Sequence, residues 1–155
     1  MTGTPVSRPD FFATLLVAAG APPQAHQTLD GTSLLPVFKG GSLPERALFW
    51  HYPHYGNQGG APAAAIRRGD WKLIEWAEDQ RVELFNLRTG LSEQTNPSGD
   101  QPRRAAQLLN ELHAWQKQTG SKFPTPNPDY DPAKPSGRAA QRPAARAKPN
   151  SSKKP

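Results

Sequence analysis

The stretch Ala63-Ala-Ala-Ile-Arg-Arg68-Gly69-Asp70-Trp71-Lys-Leu-Ile-Glu-Trp76, followed by Val82-Glu-Leu-Phe-Asn-Leu87, decides the fold. Gly69-Asp70 is a two-residue hairpin signal with glycine in the first turn position, set between two runs of strand length. Glu78-Asp79-Gln80 then turns the chain into a third run. Trp71, Leu73 and Glu75 share one face of their strand; Lys72, Ile74 and Trp76 share the other. Both faces are partly apolar, so one of them needs a cover. Residues 47–52 before the hairpin, Ala-Leu-Phe-Trp-His-Tyr, are also strand-like.

The cover is predicted downstream, over residues 101–119. Asp100 is a plausible cap and Pro102 suits a first turn. Ala105, Leu108, Leu109, Leu112 and Trp115 form a stripe at helical spacing, and Gly120 ends it. Trp71, Trp76 and Trp115 read as core. The expected fold is therefore α+β: a small antiparallel sheet of about three to four strands packed on a C-terminal helix. A first helix precedes it. Ser7 and Asp10 have capping-box spacing, Pro9 lies in the first turn, and Phe12, Leu15, Leu16 and Ala19 share a face. Gly20 and Pro22-Pro23 end that helix, which needs a body to pack on. Residues 21–46 read as loop with an apolar patch at Leu34, Leu35, Val37 and Phe38.

Composition divides the chain. Residues 133–155 carry seven of its 19 Lys and Arg and no acid, which leaves 12 basic and 13 acidic residues for 1–132. The overall charge of +6 thus belongs to the tail. The tail is rich in Pro and Ala and has no aromatic residue, so it is expected to be disordered. Its charge allows weak contact with nucleic acid or another polyanion. Phe123-Pro-Thr-Pro-Asn-Pro-Asp-Tyr-Asp-Pro132 has too many prolines for a helix and should run extended, anchored by Phe123 and Tyr130. The absence of cysteine excludes disulfides, thiolate zinc sites and Cys nucleophiles. No apolar run reaches the ~20 residues of a membrane span. Met1-Thr-Gly-Thr-Pro5 lacks signal-peptide form, and the location stays open.

The densest local chemistry is His51-Tyr52-Pro53-His54-Tyr55. Two imidazoles and two phenols can bond hydroxyls and stack on a sugar face. Pro53 stiffens the segment, while Gly56, Gly59 and Gly60 let it bend. His51 and His54 are the candidate substrate-binding residues; interdomain packing by Trp50, Tyr52 and Tyr55, with the imidazoles as hydrogen-bonded supports, is the alternative. Two His spaced three apart bring no evident third metal ligand. Arg68-Gly69-Asp70 is explained by the hairpin. Arg67 and Arg68 could reach an anion but read first as solvated strand-end charges, and His113 falls on the polar side of its helix.

Several stretches, in order, resemble the C-terminal part of a sulfatase of the alkaline-phosphatase-like superfamily. They are Asp10-x-x-x-Thr14-Leu-Leu with Ala19-Gly20; Asp30-Gly31-x-Ser33-Leu34-x-Pro36; Ile66-Arg-x-Gly-Asp-Trp-Lys-Leu-Ile74; Glu83-Leu-Phe-Asn-Leu87 with Glu93 and Asn96; and Pro124-x-Pro-Asn-Pro-x-Tyr130. The resemblance implies that residues 1–42 end a catalytic α/β domain, its last helix included. It implies a C-terminal subdomain over 43–132, followed by the tail at 133–155. It further implies hydrolysis of sulfate esters on carbohydrate or aryl groups, calcium, and a formylglycine made from Cys or Ser in Cys/Ser-x-Pro-x-Arg. Many such enzymes are exported or periplasmic. Neither the family's nucleophile motif nor its Asp metal pair is found in this chain. Ser42-Leu-Pro-Glu-Arg46 matches Ser-x-Pro-x-Arg in letters but continues into Ala47-Leu-Phe-Trp instead of Leu-Thr-Gly, and is read as a loop coincidence. No catalytic and no metal-binding residue is therefore assigned. The expectation is a sulfatase fragment, inactive alone, that contributes to the substrate cleft and whose partner is the rest of the enzyme. The rival is a non-catalytic interaction protein whose basic tail binds polyanions.

Overall fold

The structure, a computed structural model, describes residues 3–21, 26, 28–56, 60–126 and 128–129. The expectations for Pro22-Pro23, Gly59, Tyr130 and the 133–155 tail lie outside these residues. The described elements are α1 (Arg8–Ala18), α2 (Leu35–Phe38), β1 (Ala47–Tyr52), β2 (Ala63–Arg68), β3 (Trp71–Trp76), β4 (Val82–Asn86) and α3 (Pro102–Thr119). No described helix is long and apolar enough to cross a membrane.

The four strands form one antiparallel meander in the order β1-β2-β3-β4. Phe49, Ile66, Leu73 and Leu84 lie opposite one another across it, which fixes the register. Gly69 takes φ +56° in the β2–β3 turn, a region open to glycine, and so delivers the tight reversal expected. Because side chains alternate, every second residue of each strand faces α3. Ala64, Ile66, Leu73 and Leu84 on that face meet Leu108 and Leu112 of α3 to make the core. Each fully buried aliphatic side chain contributes roughly 1.5–3 kcal/mol. Phe49 stacks on Trp115 with ring centroids 4.8 Å apart and planes 3° from parallel. The whole predicted stripe from Ala105 to Trp115 is in the core or packed against it.

Polar contacts fasten α3 at two further points. Arg68 pairs with Glu111, and His113 Nε2 lies 2.9 Å from both carboxylate oxygens of Glu75. Arg68 is thus an inter-element bond instead of a solvated charge; the hydrogen bond to Glu111 raises its pKa. Asp100 does not cap α3. Its N–H and that of Gln101 both donate to Pro97 O, and this turn leaves Gln101 at the cap position without a side-chain cap bond. At the other end Ser121 N–H reaches Gln116 O at 3.0 Å, with Gly120 at φ +64°.

The outer edge of β4 is closed by a side chain. Asn96 Oδ1 accepts from Leu84 N–H at 2.9 Å and Asn96 Nδ2 donates to Val82 O at 3.5 Å, so the amide stands in for a fifth strand. Glu93 holds Lys72 Nζ with both carboxylate oxygens at 2.8 Å. The Glu93 and Asn96 positions thus secure the sheet.

The segment before the sheet differs from the loop expected over 21–46, since Leu35–Phe38 forms the short helix α2. It is tied to α1 by a buried clamp. The Asp10 carboxylate, 0 % exposed, accepts from Ser7 N–H (2.7 Å), Thr32 N–H (2.9 Å) and Arg46 Nη1 (2.8 Å). One turn on, Thr14 Oγ1 donates to Asp10 O at 2.6 Å and accepts from Leu34 N–H at 2.8 Å. Gly31 has to be glycine here, because a Cβ would stand 2.1 Å from Pro9 O. The buried side of α1 is therefore Asp10, Ala13 and Thr14, while Phe11, Phe12, Leu15 and Val17 are exposed by 48–67 %. The predicted apolar face of α1 is exposed at Phe12, Leu15 and Ala19 and half-buried at Leu16, because the clamp holds the opposite side of the helix.

Candidate functional site

The 51–56 segment leaves the sheet at the end of β1, and strand alternation decides what it presents. His51 falls on the face that packs on α3. Its Nε2 is 2.9 Å from Lys122 O, and its ring meets Phe123 edge-on with centroids 5.3 Å apart. A carbonyl only accepts, so Nε2 carries the hydrogen. Nδ1 is buried and has no partner among the described residues. Phe123 anchors the Pro-rich segment, as expected, and the anchor is His51.

Tyr52, one residue on, points to the opposite face. A Cβ on Gly56 would lie 3.0 Å from its hydroxyl, so glycine lets the backbone approach the tyrosine closely. Gly56 N–H donates to Gly60 O at 2.9 Å and shuts the loop at its base. Tyr55 OH donates to Glu78 at 2.7 Å. His54 is exposed and stands edge-on to Tyr52, with centroids 5.7 Å apart and planes at 88°. Two hydrogen bonds and a ring contact thus present one imidazole to solvent. The two candidate histidines are not brought to one side: His51 is tied under the strand to Lys122 and Phe123, and His54 is displayed beside Tyr52.

Two hollows of about 520 and 530 Å³ meet at Trp71, at the far end of the sheet from His54. The first is lined by Arg68 and Arg104 but equally by Glu45 and Asp70, so its charges cancel. The distinctive chemistry of the chain lies with the His54 loop.

Among the described residues no group of three or more His, Cys, Asp or Glu could hold a metal ion. Asp10, the most buried carboxylate, is engaged with Arg46. Burial raises its pKa, but hydrogen bonds from Arg46, Thr32 and Ser7 outweigh that and bring it down to about 2. The Ser42-x-Pro-x-Arg46 match acquires a structural meaning at its arginine: Arg46 is the clamp's cation, and Ser42 is exposed in the loop before β1. Sequence reasoning missed this clamp. Its signal was present in the polar Asp10 and Thr14 one turn apart on a helix that is otherwise apolar after Arg8.

No protein-family model matches the chain. A sulfatase of Formosa agariphila is 35 % identical over 121 residues, 68 % of this chain and 22 % of that protein. An N-acetylgalactosamine-6-sulfatase of Canis lupus familiaris is 30 % identical over 90 residues, 58 % of this chain and 16 % of that protein. Among solved structures, BT4656 in complex with its substrate D-glucosamine-2-N,6-O-disulfate is 27 % identical with a TM-score of 0.61, covering 74 % of this chain and 24 % of that one. Ps i-CgsB in complex with k-i-k-neocarrahexaose is 28 % identical with a TM-score of 0.58, covering 77 % of this chain and 26 % of that one. The chain spans about a fifth of the length of the curated relatives it matches. In sequence and fold it fits the C-terminal part of a sulfatase.

Proposed function

We propose that this chain, similar in sequence and fold to the C-terminal part of sulfatases, serves as that part of a sulfuric ester hydrolase acting on a sulfated carbohydrate. The observation that carries the reading is a double one. The likeness runs over about 70 % of this chain, yet the chain spans only about a fifth of its curated relatives' length. Residues 43–132 act as the subdomain, and residues 1–42 join it to a catalytic α/β portion. The exposed apolar side of α1, with Phe11, Phe12, Leu15 and Val17, is the surface that packs on that portion.

Within the assembled enzyme, the His54 loop borders the cleft. An imidazole can donate to and accept from sugar hydroxyls, and when protonated it attracts sulfate oxygens. His51, bonded to Lys122 O, acts on the substrate through position: it fixes the strand that carries Tyr52 and leads into His54. Two of the similar structures, which hold a disulfated glucosamine and a carrahexaose, support this substrate class.

The calcium that the family implies would need six to eight oxygen ligands, and the residues described here do not fit it. Nor do they fit a formylglycine nucleophile: Ser42 sits in an exposed loop that leads into a strand, and its arginine is spent on Asp10. The proposal therefore gives the chemical step to the rest of the enzyme and positioning to this chain.

Assay of the purified chain with an aryl sulfate, with and without calcium, should give no turnover. Joined to a sulfatase catalytic portion that carries Cys/Ser-x-Pro-x-Arg-x-x-x-Leu-Thr-Gly, it should give turnover, and His54→Ala should lower kcat/KM at least about tenfold at unchanged melting temperature. Metal-dependent turnover by the chain alone would overturn its inactivity. An unchanged kcat/KM in the joined His54→Ala enzyme would overturn the cleft role.

A further inference from the structure

We infer that the Trp50–Tyr52 end of the sheet face turned away from α3 is a platform for a saccharide chain, continuous with the His54 loop; this rests on the sulfated-carbohydrate reading above, and at the other end of that face Leu48 and Phe85 are already buried. The strand registers build the platform. On that face Trp50 lies opposite Ala65, then Ile74 and Glu83, and Tyr52 lies opposite Ala63, then Trp76. Two alanines form a low floor between the rings of β1 and the bulky residues of β3. Neighbouring strands are ~4.8 Å apart, so the walls stand ~10 Å apart, room for a pyranose ring to lie between them.

The surface is not that of an ordinary solvated sheet, whose outward residues alternate as polar ones. Trp50 is 45 % exposed and Tyr52 49 %. Among the described residues the indole N–H of Trp50 has no acceptor. An exposed aromatic face with an unengaged donor suits a sugar, which offers axial C–H groups to the ring and hydroxyls to the N–H.

Charge narrows the ligand to one with an anionic substituent. Arg67 is on the same face and diagonal to Trp50, ~7–8 Å away by strand geometry. Its Nε donates to Gly69 O at 3.2 Å, and no carboxylate lies within ion-pair reach among the described residues. The neighbouring cations are already engaged: Lys72 by Glu93, and Arg81 by Glu83 and by the ring of Trp76. One uncommitted guanidinium beside one exposed indole matches a sulfate carried on a sugar ring. A protein partner covering the same patch would bury Arg67 without a counter-charge unless it brought its own.

The test titrates the full chain with a sulfated galactan hexasaccharide and with the same hexasaccharide after chemical desulfation, following tryptophan fluorescence and heat. Both should bind, the sulfated one more tightly. Trp50→Ala should weaken both at least about tenfold, and Arg67→Ala should weaken only the sulfated one, about three- to tenfold. The desulfated probe cannot draw on the basic residues of 133–155, so its loss reports the platform. His113→Ala, on the other face, should change neither. Circular dichroism checks that each variant folds. Failure of the desulfated probe to bind, or indifference to Trp50→Ala, overturns the inference. So does a Trp50→Ala variant whose only change, by sedimentation, is lost association with a second copy or with a catalytic portion. If the platform fails while His54→Ala still lowers turnover of the joined enzyme, the cleft reading stands and this one falls.

Discussion

The two long helices are built on opposite plans. α3 buries Leu108 and Leu112 against the sheet, buries one polar residue, Gln116, near its end, and exposes most of the others. α1 buries Asp10 and Thr14 and turns Phe11, Phe12, Leu15 and Val17 outward. For α3, apolar area removed from water is the main attachment, and Glu111 and His113 add direction. For α1, the attachment is directional: one carboxylate and one hydroxyl accept from three backbone N–H groups and a guanidinium. The lesson is that α3 is a finished interface, whereas α1 is held by its polar side so that its apolar side remains available.

That contrast can be broken most strongly at its two anchors. Arg46→Ala leaves the Asp10 carboxylate buried without its cation and should cost about 3–5 kcal/mol. The loss should fall on α1: hydrogen exchange should accelerate in residues 8–18 and 31–35 while β2 and β3 stay protected. Leu112→Ala opens a cavity in the fully buried core and should cost about 2–5 kcal/mol. Its loss should be global, seen as one lower melting temperature. If both variants give the same global transition, the two helices are not separate attachments.

Acid should sharpen the comparison with a smaller effect. The Asp10 pKa is depressed in the folded chain, from 3.8 to about 2. Its stabilisation is therefore fully present above the unfolded value and is lost as pH falls from about 4 towards about 2. The full contribution is about 2 kcal/mol by linkage. Asp10→Asn should remove this step from a plot of stability against pH, with the contacts of α3 unchanged. A wild-type curve that stays flat below pH 4 would speak against it.

The smallest effect is expected on the outward side of α1. Leu15→Lys touches a residue that is 67 % exposed and should change unfolding free energy by less than about 0.5 kcal/mol. It should nonetheless reduce self-association of the chain, measured by sedimentation at rising concentration. A large loss of stability would mean that this side already has a partner within the chain.

The sheet and α3 were legible because each residue's local pattern and its final environment agree. Gly69-Asp70 set the hairpin, alternation set the two faces, and the Leu108–Trp115 stripe found the core. The resemblance was carried by motif residues whose work is structural: Asp10 and Thr14 in the clamp, Gly31 against Pro9, Glu93 on Lys72, and Asn96 on the β4 edge. The apolar face of α1 was legible as one in need of a body to pack on, and it is largely exposed; what spacing could not give was the clamp on the other side, because its partners Thr32, Leu34 and Arg46 lie far along the chain. The candidate site was legible as a cluster but not as an arrangement. Five residues with two imidazoles and two phenols can be counted, but which side of the strand each ring takes depends on where the strand ends and what packs beneath it.

The sequence alone determined what short-range rules govern: the hairpin, the apolar stripe of α3, the charge carried by 133–155, and the family resemblance. Tertiary structure alone decided the pairings between distant residues. It joined Asp10 to Arg46, 36 positions away, Glu75 to His113, and His51 to Lys122, 71 positions away. The physical reason is that a hydrogen bond depends on where two groups meet in space, and spacing along the chain carries that information only within a helical turn or across a tight hairpin.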